Sequence, residues 1–239
     1  MAFDADAVRS QFPILSRQVN GKPLVYLDSA ASAQKPRAVI DAMSHAMEHS
    51  YANVHRGLHT LANETTDAYE AARRSAASFI GADVGEIVFT KGATEAINLV
   101  AAGIGASLKP GDEIVLSEME HHANIVPWHF LRERCGAVLK WARVTDEGVL
   151  DLEHVQSLLG PRTRVVALSH MSNVLGTINP VRELARMAHA VGALVLFDGC
   201  QAVVHQAVNV REIDADFYVF SGHKIYGPTG IGILYGKAD

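Results

Sequence analysis

From about residue 84 onward, short continuous apolar runs alternate with longer stretches in which apolar and polar residues are mixed. Continuous apolar runs are typical of strands buried on both faces of a sheet, and the mixed stretches are typical of the helices that cover it. Strands are predicted at 86–90, 113–117, 137–141, 165–169, 194–198, 217–221 and 232–235. Helices are predicted between them, at 94–107, 123–133, 152–159 and 180–191. The alternation indicates the α/β class, with a mostly parallel seven-stranded sheet flanked by helices.

The first 80 residues show a different pattern, with shorter apolar runs and more polar connections. A short helix is predicted at 6–12, a short strand at 24–27, and helices at 37–48 and 65–80. The polar connection 51–60 contains His55 and Arg56. Because connections commonly carry binding residues, this one is a candidate for function.

Composition limits the class of protein. The 239 residues, 49% of them hydrophobic, suffice for one large core, or for one core with a small subdomain. A net charge of −5 without a lysine or arginine cluster argues against nucleic acid as a partner. The N-terminus does not resemble a signal peptide, and no apolar run reaches the roughly 18 residues of a membrane span. Two cysteines without a CxxC motif fit a reducing compartment, so we expect a cytoplasmic protein without a membrane partner.

The turn after strand 86–90 has the composition of a phosphate-binding turn. Gly92 and Ala93 are small enough for the backbone to approach a ligand closely, and Thr94 adds a hydroxyl where the next helix begins. An ordinary turn in which Thr94 caps the helix is the simpler alternative. The position itself favours a ligand, because ligands of open parallel sheets bind beyond the carboxyl ends of strands.

Two other strand ends carry polar side chains. His121 and His122 follow strand 113–117, and an imidazole there can stack on a flat ligand or simply mark the entry to a helix. Neighbouring helical residues point roughly a third of a turn apart, so the two histidines are not expected to serve one site. Asn173 follows strand 165–169, where it can donate a hydrogen bond to a ligand or shape the turn.

The strongest chemical signal lies at the ends of two consecutive strands. Strand 194–198 is apolar until it ends in Asp198, and a carboxylate there is costly unless it meets a cation or hydrogen-bond donors. Gln201 lies about one helical turn later. Strand 217–221 is followed closely by Lys224. Burial disfavours a charged ammonium, and a neutral amine is a nucleophile suited to carbonyl chemistry.

Together these residues match the needs of a pyridine cofactor that carries an aldehyde and a phosphate. A carboxylate keeps the ring nitrogen protonated, a lysine bonds the aldehyde, and donors hold the phosphate. Ser221 and His223 supply a hydroxyl and an imidazole beside Lys224. Singly, each residue has an ordinary alternative, since Asp198 can cap a helix and Lys224 can be solvated. The set predicts pyridoxal 5'-phosphate, with Asp198 at the ring nitrogen and Lys224 in a Schiff base.

Longer motifs extend this interpretation along the whole chain. They are YLDSAASAQKP (26–36), NVHRGLHTL (53–61), TKGATEAINLV (90–100), EMEHHANIVPW (118–128), SNVLGTINP (172–180), DGCQAV (198–203) and FYVFSGHKIYGPTGIGILYG (217–236). The sequence resembles the pyridoxal-phosphate enzymes of fold type I, and among them the SUF-type (group II) cysteine desulfurases. The resemblance implies a cofactor-binding large domain over 21–239, preceded by an N-terminal arm or small-domain segment over 1–20.

The resemblance also implies a role for each matching residue. Lys224, which would bond the cofactor, and His121, which would stack on its ring, are the catalytic pair. The other cofactor contacts would be Asp198 at the ring nitrogen, Gln201 and Asn173 near the phenolic oxygen, and Thr94, Ser221 and His223 at the phosphate. The substrate side would be formed by His55, Arg56, Ala30 and Ala31. No metal ligand is implied.

In such enzymes L-cysteine is converted to L-alanine, and the sulfur passes to an enzyme cysteine as a persulfide for iron–sulfur cluster assembly. The resemblance implies a homodimer that works with a sulfur-acceptor protein. The family's nucleophilic cysteine and its substrate-binding arginine lie in a C-terminal segment beyond position 239, so we expect a truncated chain without the C-terminal small domain. Cys135 and Cys200 do not match the nucleophile, and Cys200 is expected to be a small buried hydrophobe.

Three other functions remain open from the sequence. The chain fits another enzyme of fold type I, such as a selenocysteine lyase or, less well, a transaminase. It also fits a non-catalytic cofactor-binding fragment that docks to a sulfur-transfer partner. A metal site is the third: His45 and His49 are four residues apart, as are His55 and His59, although surface or pocket histidines are the simpler interpretation.

Overall fold

A seven-stranded sheet organises the computed structural model, which describes residues 3–238. Its strands are β3 (Ile87–Thr90), β4 (Glu113–Ser117), β5 (Val138–Ala142), β6 (Thr163–Ser169), β7 (Leu194–Asp198), β8 (Phe217–Ser221) and β9 (Gly232–Gly236), after a hairpin of β1 (Gln18–Val19) and β2 (Lys22–Pro23). The strand order is β3-β9-β8-β7-β6-β4-β5. Within this sheet β9, which lies between β3 and β8, is the one strand that runs opposite to the other six. The predicted mostly parallel sheet is therefore confirmed.

Helices flank this sheet. In the described residues they are α1 (Ala5–Ser10), α2 (Arg37–His45), α3 (Thr60–Ile80), α4 (Ala93–Gly105), α5 (Val126–Cys135), α6 (Leu152–Leu158), α7 (Val181–His189), α8 (Ala202–His205) and α9 (Val210–Ile213). Helix α4 packs on β8 and β9, α7 packs on β7, and α5 and α6 pack on β5. One continuous apolar cluster joins these helices to the buried strands. None of the helices in residues 3–238 is long and apolar enough to cross a membrane.

The central strands are buried almost completely, as their continuous apolar runs predict. Strand β4 is buried at all five positions, and β7 is buried from Val195 to Asp198. Of the six strands that run in the same direction, five end in a residue with a hydroxyl or carboxyl group: Thr90, Ser117, Ser169, Asp198 and Ser221. Because parallel strands end at the same edge, these polar groups collect along one side of the sheet. That edge carries the site described below.

The predicted strand at 24–27 is wrong. The chain there is irregular, and the short strand β2 ends at Pro23, where it pairs with β1 in a hairpin. Val25 and Leu27 are 73% and 91% exposed, so their apolar character does not mark a buried strand. The predicted boundary between segments 1–20 and 21–239 falls within the hairpin turn, and that division stays a prediction.

Two helix predictions in the N-terminal region need correction. Helix α3 begins at Thr60 rather than 65, because the imidazole of His59 accepts a hydrogen bond from the Ala62 N–H group and caps the helix. Helix α2 ends at His45, and a wider helical turn continues to Ser50. The predicted helix 123–133 begins three residues later, at Val126, because a separate helical turn occupies His122–Asn124. The remaining helices and strands agree with the structure within two residues, the usual uncertainty of such bounds.

Candidate active site

A cavity of about 520 Å³ lies beyond the carboxyl ends of the parallel strands. Nine of the twelve predicted site residues line it: Ala30, Ala31, Thr94, His121, Asn173, Asp198, Ser221, His223 and Lys224. Strands β7 and β8, which lead to Asp198 and Lys224, are direct neighbours in the sheet. The fold therefore brings the predicted acid and amine to one cavity from adjacent strands.

Asp198 is only 6% exposed, yet its side chain faces the cavity. One carboxylate oxygen, Oδ1, accepts a hydrogen bond from the Cys200 N–H group at 3.0 Å. No other side-chain hydrogen bond to this carboxylate is present among residues 3–238. A buried carboxylate with spare acceptor capacity is suited to a cationic or N–H group of a ligand.

Lys224 lies in a short helical turn after β8, and the backbone of that turn is held by the segment 30–35. The carbonyl oxygen of His223 accepts hydrogen bonds from the Ala33 N–H group at 3.0 Å and from the Lys35 amine at 3.0 Å. The His223 ring also contacts the Ser32 hydroxyl at 3.2 Å. Burial, with the nearby charges of Lys224 and Lys35, lowers the pKa of His223. These contacts fix the backbone that presents Lys224 to the cavity.

The first turn of α4 gives the cavity a set of hydrogen-bond donors that suits an anion. Gly92 caps this helix without a side-chain hydrogen bond, and N–H groups of a first helical turn have no partner within the helix. The Ser221 hydroxyl accepts the Ala93 N–H group at 2.9 Å, so its own proton can be donated to a ligand. Thr94 adds a second hydroxyl. A Cβ atom on Gly232 would lie 2.4 Å from the Gly92 Cα, so both backbones approach closely here.

His121 lines the cavity, whereas His122 does not. Its ring nitrogen Nδ1 accepts a hydrogen bond from the Ala123 N–H group at 3.1 Å. A neutral imidazole that accepts at Nδ1 carries its proton on Nε2. The ring therefore has one defined tautomer in this structure, with Nε2–H available for a ligand.

Gln201, His55 and Arg56 are outside the cavity lining. Gln201 is buried, and its amide nitrogen donates to the Ala30 carbonyl oxygen at 2.8 Å, so it fastens the cavity wall. His55 is exposed and contacts Glu70 at 3.0 Å, and Arg56 is exposed. The structure does not bring these three residues into the cavity, and their roles stay predictions.

Cys200 lines the cavity but is poorly suited to react. It is 7% exposed, and its sulfur lies 3.9 Å from the Ser221 hydroxyl. Burial, with the nearby Asp198 charge, raises the pKa of the thiol far above its ordinary value. A thiol that stays protonated is a weak nucleophile, which agrees with the interpretation of Cys200 as a small buried hydrophobe.

Sequence reasoning missed a buried layer behind Asp198. His170 contacts the Tyr218 hydroxyl at 2.7 Å and the Gln206 amide at 2.8 Å, and burial lowers the pKa of His170 to about 4. A Cβ atom on Gly199 would lie 2.0 Å from the Tyr218 ring, so only glycine fits after Asp198. The signal is faint because these residues come from separate parts of the chain and meet only in the fold.

A larger groove, of about 890 Å³, lies between α7 and α9. It is lined mainly by surface arginines and acids, and none of its described lining residues is a lysine. We assign the site to the smaller cavity because it contains the amine, the buried carboxylate and the open helix end. Size alone does not offset the absence of that chemistry.

The comparison with known proteins agrees with this geometry. The profile of the family described as "Aminotransferase class-V" matches residues 25–239. The chain belongs to this family. Its members depend on pyridoxal phosphate, so the cofactor predicted from the strand ends is confirmed at the level of the class-V aminotransferase family.

Similar proteins are described as cysteine desulfurases. The chain is 56% identical to the cysteine desulfurase of Dickeya dadantii, in an alignment that covers 99% of this chain and 58% of the relative. A solved cysteine desulfurase from Thermococcus onnurineus matches with a TM-score of 0.92 and 40% identity over 99% of this chain and 58% of that one. An Escherichia coli cysteine desulfurase structure gives a TM-score of 0.88 and 43% identity, with 99% and 59% covered.

These matches confirm the predicted fold-type I large domain and the likeness to cysteine desulfurases. The chain spans about 58% of the length of the Dickeya dadantii relative. Another relative, a probable cysteine desulfurase of Mycolicibacterium paratuberculosis, is covered only to 35%.

The residues of the cavity fit the cofactor of the class-V aminotransferase family. Asp198 offers a buried acceptor, Lys224 an amine, and the first turn of α4 with Ser221 a set of donors for a phosphate.

Within residues 3–238, no group of three or more His, Cys, Asp or Glu side chains could hold a metal ion. His45 and His49 stack on each other, with ring centroids 4.3 Å apart.

Proposed function

We propose that the chain is the cofactor-binding part of a pyridoxal-phosphate-dependent cysteine desulfurase. The observation that carries the proposal is the meeting of Asp198 and Lys224 in one cavity from the ends of adjacent strands. The identity of more than 50% to relatives named cysteine desulfurases supports the choice of reaction within the class-V aminotransferase family.

The cofactor would supply an electron sink for bonds at the amino acid Cα atom. Lys224 would bond the cofactor aldehyde and later move a proton through its amine. Asp198 would accept a hydrogen bond from the ring nitrogen. His121 would cover one face of the ring and present Nε2–H towards the substrate.

The remaining cavity residues would bind and orient. Thr94, Ser221 and His223 would hold the phosphate at the first turn of α4. Asn173 would hold the phenolic-oxygen side of the ring, and Ala30 with Ala31 would shape the substrate side. Gln201, which lies outside the cavity lining, is proposed for the phenolic-oxygen side on the ground of the sequence motif. We propose His55 and Arg56 as further substrate-side residues on the ground of the sequence motif alone.

The substrate of the complete enzyme would be L-cysteine, which a bound ligand of one solved relative, described as "SspA in complex with cysteine", supports. The product would be L-alanine, and the sulfur would pass as an enzyme persulfide to an acceptor protein for iron–sulfur cluster assembly. We propose a homodimer located in the cytoplasm.

Chemical trapping tests the assignment of Lys224. Protein loaded with pyridoxal phosphate is reduced with borohydride, digested, and analysed by peptide mass. We expect the label on the peptide that contains Lys224 and none after Lys224→Ala. Lys22→Ala, at an exposed lysine of β2, is the matched control and should keep the label. A label that persists in Lys224→Ala would contradict the proposed site.

A product assay separates the enzyme from a binding fragment. We expect L-cysteine and a reductant to yield sulfide and alanine in equal amounts when the assayed protein has the full length of the cysteine desulfurase relatives. A Schiff-base absorbance without either product would favour a non-catalytic cofactor-binding protein. Faster release of selenide from selenocysteine than of sulfide from cysteine would favour a selenocysteine lyase.

A further inference from the structure

A buried carboxylic acid immediately precedes His121 in the chain and has no part in the site described above. Glu120 follows β4 by three residues and is only 8% exposed. No cation pairs with it among the residues that the structure describes. A buried glutamate without a cation is costly, so its position calls for a reason.

One oxygen of Glu120 connects the ends of two strands. Oε1 accepts hydrogen bonds from the Ser117 hydroxyl at 2.5 Å, from the Ser169 N–H group at 3.0 Å and from the Ser169 hydroxyl at 3.3 Å. Ser117 ends β4 and Ser169 ends β6. Glu120 thus holds the chain after β4 against the neighbouring strand.

The other oxygen holds the turn that carries His121. Oε2 accepts the Asn124 side-chain N–H at 2.8 Å. The orientation of this amide is fixed, because the indole of Trp128, which can only donate, occupies its oxygen at 3.0 Å. The Asn124 backbone N–H in turn donates to the His121 carbonyl oxygen at 2.8 Å. The chain of contacts runs from two strand ends through Glu120 to His121.

We propose that Glu120 is a positioning residue for His121: it fixes the turn 121–124 on the ends of β4 and β6, so that the imidazole keeps its place and tautomer at the cavity. The inference rests on the proposed function, since the place of His121 matters only when a cofactor is bound. It adds a residue that does not touch the cofactor and acts through another.

The charge of Glu120 makes this support dependent on pH. Burial raises the pKa of Glu120 to about 7, while hydrogen bonds from Ser117, Ser169 and Asn124 lower it and the charge of Asp198 on β7 raises it. The contacts on β4, β6 and the turn are neutral donors. The Ser169 N–H and the Asn124 side-chain N–H can only donate, and they bond different oxygens of Glu120, so a proton on either oxygen replaces the acceptor of one of them with a hydroxyl. We expect protonation to loosen the turn locally as the pH falls through about 7, while the removal of a buried charge raises the free energy of unfolding of the whole protein over the same range.

A double-mutant cycle tests the inference with two readouts other than activity. The affinity for pyridoxal phosphate and the circular dichroism of the bound cofactor are measured for wild type, Glu120→Gln, His121→Ala and the double variant, above and below pH 7. We expect Glu120→Gln to weaken binding about tenfold and to reduce the dichroism, because its amide puts a donor against donors. In the His121→Ala background the same change should add little.

Glu113→Gln is the matched control, because Glu113 is a buried glutamate at the other end of β4. We expect it to leave the cofactor affinity and the dichroism unchanged. If Glu120→Gln does not fold, Ser117→Ala provides the second variant. It removes one hydrogen-bond donor from Oε1, which destabilises the carboxylate form of Glu120 and raises its pKa. The pH midpoint of the cofactor dichroism should therefore move upward.

The outcomes are distinguishable from failure of the proposed function. If wild type forms no Schiff base at Lys224, the proposed function is wrong. If wild type binds the cofactor but the Glu120 and His121 effects are fully additive, the inference alone is overturned. An unshifted pH midpoint in Ser117→Ala would overturn it as well.

Discussion

A buried glutamate lies near each end of β4, and the surroundings shift the pKa values of the two in opposite directions. Glu113, at the start of the strand, is 3% exposed and lies 2.7 Å from the Lys140 amine and 2.9 Å from Arg162. Burial alone would raise the pKa of Glu113, but the two cations outweigh it and hold the pKa below its ordinary value. Glu120, after the end of the strand, has only neutral donors, and its pKa is raised to about 7.

This difference distinguishes the two edges of the sheet. The edge at the amino ends of the strands serves stability, and the edge at their carboxyl ends carries the candidate site. At the amino edge each buried acid is matched by a cation, as with Asp112 and Arg164 at 3.0 Å. At the carboxyl edge Asp198 and Glu120 keep unmatched charge or spare acceptor capacity. Local arrangements that are unfavourable for stability are expected where a ligand will later complete them.

The largest expected effect is steric and lies at the carboxyl edge. Gly232→Ala would place a Cβ atom 2.4 Å from the Gly92 Cα, a backbone atom that cannot move without displacing the first turn of α4. We expect a loss of about 3 kcal/mol or more in the free energy of unfolding, measured in urea, and weaker cofactor binding. Gly103→Ala, in α4 with open space at its Cβ, should be neutral or slightly stabilising. Equal effects of the two changes would contradict the close approach.

The next effect is the pH dependence of stability through Glu120. Its folded-state pKa is raised from 4.5 to about 7, so its contribution is fully present below about pH 4.5 and is lost as the pH rises through about 7. Relative to Glu120→Gln, wild type should lose about 3 kcal/mol of unfolding free energy over this range. Urea unfolding of both proteins at several pH values measures the difference. A constant difference would show that Glu120 titrates normally.

A smaller effect concerns cofactor affinity. Asp198→Ala should weaken pyridoxal phosphate binding by about 2 kcal/mol, roughly thirtyfold, because the proposed charge-assisted hydrogen bond to the ring nitrogen would be lost. Asp112→Ala, at a buried and paired acid of the amino edge, is the control and should lower stability without changing affinity. Absorbance titration measures both. Unchanged affinity in Asp198→Ala would mean that this carboxylate only caps the following turn.

The smallest expected effect lies at the amino edge. Glu113→Gln should cost about 1–2 kcal/mol near neutral pH, since Lys140 and Arg162 are partly exposed and regain water. The pKa of Glu113 is lowered on folding, so its contribution is present above its ordinary pKa and is lost as the pH falls through the folded value. The difference between wild type and variant should therefore shrink in acid, opposite to Glu120. The same direction for both glutamates would remove the contrast.

The sequence predicts the sheet well because its signal is local. A continuous apolar run such as 194–198 means a strand buried on both faces, and consecutive strands place Asp198 and Lys224 at one edge. The segment 24–27 misleads because exposed Val25 and Leu27 look like a core strand. Glu120 is not predictable in this way, since its partners come from β4, β6 and the turn, and none of them carries a charge.

The most direct test of the account is a crystal structure of the protein with pyridoxal phosphate bound. We predict the ring nitrogen within about 3 Å of an Asp198 carboxylate oxygen, and continuous density between the cofactor aldehyde carbon and the Lys224 amine in the same molecule. Cofactor bound in the groove between α7 and α9, or a ring that reaches only one of these two side chains, would contradict it.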